Sequence, residues 1–145
     1  MTEPFYQRNR VVAWGSLTVG VGVGLIMGMW SFDGPAPTPG WLGEYGDTPR
    51  RLARLGHIAF IGLGILNLLL IRELPSLPLG FRVKRIACNS MNFGNIFLPL
   101  TLFAAALVHP AKYLMSFPAV AVFVALAIVT KGVCSQWKGG NDAPS

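Results

Sequence analysis

The chain contains two histidines, His57 and His109, and each lies near the end of a long apolar stretch. Imidazole nitrogens ligate haem iron, so two histidines that face each other from adjacent membrane helices would suit a b-type haem. Arg54 precedes His57 by about one helical turn, where its guanidinium would meet a haem propionate. Haem ligation by His57 and His109 is therefore one hypothesis. A quinone contact by His57 is a second, and ordinary hydrogen bonding at the membrane surface is a third.

Other kinds of chemistry have little support in the sequence. Every carboxylate lies outside the apolar stretches, so none is placed for proton relay or ion coupling, as a pump or secondary transporter needs. The sequence has no glycine-rich phosphate loop, nucleophile elbow or zinc-protease helix motif. The two cysteines, Cys88 and Cys134, have no metal-ligand spacing. We therefore expect no catalytic residues, no metal site and no enzymatic activity of the chain's own.

Four stretches of the chain contain no Asp, Glu, Lys or Arg: 11–32, 55–71, 86–111 and 113–130. About 20 apolar residues in a helix span the hydrocarbon core of a bilayer, which is about 30 Å thick. The sequence therefore predicts an all-α fold, an integral membrane four-helix bundle that forms a single domain over residues 1–145. The predicted helices lie near 9–31, 49–72, 84–109 and 113–132.

The basic residues indicate the orientation of this bundle. Eight of the 12 Lys and Arg residues lie in the N-terminal segment, the connection after the second stretch, and the C-terminal tail. Because Lys and Arg collect on the cytoplasmic side, both termini are predicted to be cytoplasmic. Lipid phosphates explain the net charge of +6, and we expect a lipid bilayer rather than a nucleic acid as the partner. The expected location is a bacterial inner (cytoplasmic) membrane.

Small residues recur every four positions along the first predicted helix, at Ser16, Gly20, Gly24 and Gly28. We call this face the small-residue ridge. Small side chains let two membrane helices approach closely, so the ridge predicts a close helix–helix contact. The contact lies either inside the chain or against another membrane subunit, and the sequence leaves both open.

Asparagines lie inside the apolar stretches, among them Asn92 on the third helix, and we single out Asn67 on the second helix and Asn95 on the third. Polar side chains are costly in lipid unless they find partners. Counted from the cytoplasmic ends of their stretches, the two residues have similar depths. We therefore predict a hydrogen bond between them that helps to pack the bundle.

The sequence is richer in packing features than in reactive groups. It favours a small accessory or structural subunit of a larger membrane complex, such as an energy-converting or electron-transfer chain, with partners bound through the small-residue ridge. The alternative is a membrane redox protein that binds b-type haem or quinone through His57, alone or with His109.

Overall fold

The structure is a computed structural model that describes residues 3–31 and 34–141, with side chains described as far as Trp137. Its four α-helices are α1 (Pro4–Gly28), α2 (Thr48–Glu73), α3 (Phe81–Leu107) and α4 (Ser116–Asn141). The described ranges contain no β-strand, so the all-α prediction is confirmed. Four helical segments are long and apolar enough to cross a membrane, the fourth including the 3-10 turn before α4.

The helices extend beyond the charge-free stretches at several ends. α1 begins at Pro4 rather than near residue 9, and proline suits the first turn of a helix because its missing N–H is not needed there. α3 begins at Phe81 rather than near residue 84, directly after Gly80. The absence of charge marks only the part of a helix that lies in hydrocarbon. Charged residues continue the same helices into the headgroup region.

The helices pack in a simple order. α2 contacts both α1 and α3, α1 and α3 also contact each other, and α4 packs mainly against α3. We call the end of the bundle that holds Pro4, Glu73 and Phe81 the N-terminal end, and the other the loop end. The larger apolar cluster lies at the N-terminal end and buries Phe5, Tyr6, Leu70, Ile71, Leu74, Leu77, Ala87, Cys88, Met91 and Ala125.

The small-residue ridge packs inside the chain, against α2. A Cβ atom added at Gly20 would lie 2.7 Å from Cγ1 of Ile61, and one added at Gly24 would lie 2.6 Å from Nε2 of His57. These distances are too short for any side chain, so glycine is what allows α1 and α2 to approach. Gly28, by contrast, has no atom from elsewhere in residues 3–31 and 34–141 within 4 Å of its Cβ position. The contact with α2 therefore ends before the ridge does.

The connection between α1 and α2 covers the loop end of the bundle. It contains a 3-10 turn at Gly40–Leu42, and Leu42 is buried beside Ala53 of α2 and Ala106 of α3. Gly43 follows with a φ of 66°, a left-handed conformation that favours glycine. The connection is rich in proline and glycine, which suits an irregular surface segment, and Leu42 is an apolar anchor within it.

Candidate functional site

Three asparagines from three helices close a triangle of hydrogen bonds toward the N-terminal end. Asn9 of α1 donates to Oδ1 of Asn67 on α2 at 2.7 Å, and Asn67 donates to Oδ1 of Asn92 on α3 at 2.9 Å. Asn92 donates back to Oδ1 of Asn9 at 2.8 Å. The amide nitrogen of Asn9 also donates to the carbonyl oxygen of Cys88 at 3.2 Å. We call this set of three side chains the asparagine triangle.

The asparagine triangle is buried and internally paired. Asn9 and Asn67 have no exposed surface, and Asn92 is only 6% exposed. Each amide donates one hydrogen bond within the triangle and accepts one, so each has a partner although burial inside the bundle excludes water. The three bonds join α1, α2 and α3 at a single level. This arrangement positions helices and leaves little polar capacity for a ligand.

A second polar layer joins the same helices near the middle of α1. The hydroxyl of Ser16 lies 2.8 Å from the carbonyl oxygen of Phe60 and 2.8 Å from Oδ1 of Asn95. A hydroxyl has one proton and can donate it to only one of these oxygens. The amide nitrogen of the fully buried Asn95 has no partner among the described residues. The Ser16–Asn95 layer is therefore incompletely paired, unlike the asparagine triangle.

This layer forms part of a cleft of about 220 Å³ between α1 and α3. Ser16 lies six residues beyond Arg10, so the cleft lies within the apolar part of α1. Gly15, on its wall, has no atom within 4 Å of its Cβ position. The cleft is lined by Val12, Gly15, Ser16, Val19, Phe60, Asn95 and Ile96.

The structure places His57 against α1 and His109 at the surface. Nε2 of His57 faces Gly24, 2.6 Å from its Cβ position, and the side chain makes no hydrogen bond with the described residues. An iron atom bound at Nε2 would collide with α1 in this packing. His109 begins the 3-10 turn His109–Met115 and is exposed. The geometry therefore offers no preformed haem site at these two side chains.

The arginines near His57 hold the connection between α1 and α2. The guanidinium of Arg54 lies 4.2 Å from the centre of the Tyr45 ring and donates to the Tyr45 carbonyl oxygen at 3.1 Å. Arg50 donates to the carbonyl oxygen of Trp30 at 2.8 Å. Both arginines thus use hydrogen bonds and cation–π contacts to fasten the loop end. Arg54 is engaged there rather than free to meet a propionate.

Asn9 lies just outside the first charge-free stretch, so the absence of charge does not mark it as a residue of the buried polar layer. A signal was present, because Asn9, Ala13, Ser16 and Gly20 follow a spacing of four, three and four residues. Residues at this spacing share one face of a helix. The small-residue ridge therefore continues backward through Ala13 to Asn9, and all four residues are buried.

The structure also changes the partner of Asn67. The expected bond to Asn95 is replaced by bonds to Asn92 and Asn9. The end of each charge-free stretch was a poor measure of depth. Asn67 is six residues from the end of α2, whereas Asn95 is fourteen residues from the start of α3. Asn95 therefore lies deeper and meets Ser16 instead.

No protein-family model, curated protein or solved structure matches this chain. The described residues contain no group of three or more His, Cys, Asp or Glu side chains that could hold a metal ion. The four apolar helices define the class of the molecule as an α-helical integral membrane protein. Its exposed faces and clefts are the features that bear on its role.

Proposed function

We propose that this protein is a small structural subunit that docks into a larger membrane complex and catalyses no reaction of its own. The asparagine triangle supports this role, because it uses buried polar groups to hold helices rather than to bind a ligand. A redox role for His57 has less support, since α1 covers its Nε2 atom. By analogy, we place the complex among energy-converting or electron-transfer assemblies.

The observation that carries the proposal is a second face of α1, directed away from α2. Its residues follow a spacing of three and four, which is typical of a helix that packs against another helix. We call it the open face of α1, and it consists of Val12, Gly15, Val19, Gly22 and Ile26.

The open face has the properties of a helix-docking surface. Neither Gly15 nor Gly22 has an atom within 4 Å of its Cβ position, so a second backbone can approach both. Val19 and Ile26 are 48% and 53% exposed and would supply the packing area. The small-residue ridge is occupied by α2 from Ser16 to Gly24. We therefore assign the partner contact to the open face instead.

The partner that best fits this surface is a transmembrane helix with a hydroxyl or carboxamide side chain at the level of Asn95. The open face borders the cleft that contains Asn95, whose amide nitrogen is unpaired. Headgroups and water do not reach the hydrocarbon interior, so a neighbouring helix is the natural source of a polar partner. Seating such a helix in the cleft would complete the Ser16–Asn95 layer.

The orientation forms part of the same proposal. The N-terminal end of the bundle carries eight of the 12 basic residues of the chain. We propose that this end faces the cytoplasm, in accordance with the positive-inside rule. A bacterial inner membrane is the location that we propose with it.

Site-specific photocrosslinking in the native membrane tests the docking surface. A photoreactive residue at position 15 or 22 should yield the same single protein adduct, identified by mass spectrometry. The matched controls are positions 124 and 133, which are exposed on α4. A lack of protein adducts at positions 15 and 22, or the same adduct from all four positions, would contradict the proposal. An adduct with a second copy of this chain alone would replace the larger complex with a homodimer.

A further inference from the structure

A second surface lies at the N-terminal end, where α1 and α2 enclose a cleft of about 380 Å³. We call it the arginine cleft, and it is lined by Tyr6, Gln7, Arg10, Trp14, Leu68, Ile71 and Arg72. We propose that the arginine cleft binds one anionic phospholipid, with the phosphate at the arginines and an acyl chain along the apolar wall. This site does not depend on the proposed partner contact.

The charge of the cleft indicates a ligand with net negative charge. Arg10 comes from α1 and Arg72 from α2, and both side chains are exposed. Neither is engaged by a carboxylate or carbonyl group of the described residues, whereas Arg50 and Arg54 each donate to a backbone carbonyl. A guanidinium presents paired donors that match phosphate oxygens. Two guanidinium groups at one cleft form a phosphate site whose positive charge is not already neutralised.

The remaining lining indicates that the ligand is amphiphilic. Ile71 is 7% exposed and Leu68 is half-buried, so the two form an apolar wall beneath the charged rim. Trp14 is 59% exposed beside them, and tryptophan prefers the membrane interface. A free phosphate would leave this wall uncovered. A phospholipid would cover it with its acyl chain.

The depth of the arginines suits a lipid headgroup. Arg10 lies six residues into α1, roughly 9 Å from its first residue, and Arg72 lies one residue before the end of α2. A long arginine side chain can extend from this depth toward the interface while its methylene groups stay in apolar surroundings. Basic pockets between membrane helices on the cytoplasmic side are a known form of anionic-lipid site.

A neighbouring cleft of about 440 Å³ between α1 and α3 is a weaker candidate. It contains Arg8 and Arg85, but Glu3 also lines it, and Arg8 donates to Asn89. Its positive charge is therefore partly neutralised. The arginine cleft contains no carboxylate, so it also lacks a partner for the choline or ethanolamine group of a zwitterionic lipid. This difference predicts selectivity for lipids with net negative charge.

Native mass spectrometry of the full-length protein in detergent tests the proposal. We expect phosphatidylglycerol to bind with a defined stoichiometry of one at the tightest site, and phosphatidylcholine to bind much more weakly. Arg10→Gln and Arg72→Gln should each weaken phosphatidylglycerol binding by about fivefold, the effect expected of one basic residue at a membrane surface. Arg10→Lys should weaken binding less than Arg10→Gln, because the charge remains while the paired donors of the guanidinium are lost.

The matched controls are Arg82→Gln and Lys131→Gln, which remove the same charge from exposed positions at the same end but outside the arginine cleft. They should leave the tightest site unchanged. Equal losses in control and cleft variants would overturn the proposal in favour of diffuse surface attraction. Equal binding of phosphatidylcholine would overturn the selectivity for negative charge. Binding of inorganic phosphate as tight as that of phosphatidylglycerol would replace the lipid with a soluble anion.

Discussion

At the scale of single residues, the asparagine triangle shows how a membrane protein can use polar groups without exposing them. Each amide has both a donor and an acceptor, so three of them can close on themselves in a region without water. Asn9 is the most connected member, because it also donates to the carbonyl oxygen of Cys88. Its removal would leave unpaired groups on both Asn67 and Asn92.

Replacing Asn9 with alanine should therefore destabilise the protein. We expect a loss of about 1 to 2 kcal/mol in the free energy of unfolding, because several interhelical bonds of about 0.6 kcal/mol disappear together. Unfolding by titration with a denaturing detergent, followed by circular dichroism, would measure it. Asn89→Ala is the control, since Asn89 is exposed and bonded only to the surface residue Arg8. Equal losses in the two variants would show that the triangle contributes nothing special.

At the scale of helices, α1 has two small-residue faces with different neighbours. The small-residue ridge contacts α2, which has a glycine of its own at this contact. A Cβ atom added at Gly64 would lie 3.1 Å from the carbonyl oxygen of Ala13. Both helices thus have glycine, which carries no side chain, where they meet. On the open face, no other part of the described chain lies within 4 Å of the Cβ positions of Gly15 and Gly22. The two faces therefore predict opposite responses to the same substitution.

Gly20→Leu should destabilise the protein, whereas Gly22→Leu should leave its stability nearly unchanged. A leucine at position 20 would have to displace Ile61 and Phe60, and overpacking of this kind costs about 1 to 3 kcal/mol. A leucine at position 22 points into open space, so the cost should stay within about 0.5 kcal/mol. The thermal midpoint of the purified protein would separate them. Equal midpoints for the two variants would mean that α1 does not pack on α2 through the ridge.

At the scale of the whole molecule, the N-terminal end and the loop end of the bundle differ. Most basic residues lie at the N-terminal end, whereas the loop end is covered by the connection between α1 and α2. The loop end is closed by the connection that Arg50 and Arg54 fasten, with Leu42 inserted among the helices. The N-terminal end has two clefts that contain arginines, Arg8 and Arg85 in one and Arg10 and Arg72 in the other. Such a difference suits a protein that meets anionic lipid on one side of the membrane only.

Cysteine labelling in intact cells would test this orientation. Gly40→Cys should react with a membrane-impermeant thiol reagent from outside, and Pro78→Cys should react only after the membrane is opened, because both positions are exposed at opposite ends. Both variants should be made in a chain without Cys88 and Cys134. The reverse labelling would invert the orientation and place the arginine cleft on the outer side.

The number of helices and their approximate extents follow from the sequence alone. A charged side chain in hydrocarbon is costly wherever the rest of the chain lies, so a stretch without charges marks a span before any packing is known. The sequence also predicts the small-residue ridge as a helix contact, because the spacing of its residues lies within one helix. These features depend on residues that are close together in the chain.

The tertiary structure decided which groups meet, because that depends on helix order and on the register between helices. Asn67 forms hydrogen bonds with Asn92 and Asn9 rather than with Asn95. His57 packs against Gly24, and Arg54 donates a hydrogen bond to the backbone of Tyr45. A shift of one helical turn, about 5.4 Å, would exchange these partners while leaving every charge-free stretch unchanged. Sequence patterns within one helix carry no information about that shift. The contacts between helices determine it, because they pair the buried amides of Asn9, Asn67 and Asn92 and bring the glycines of α1 and α2 together.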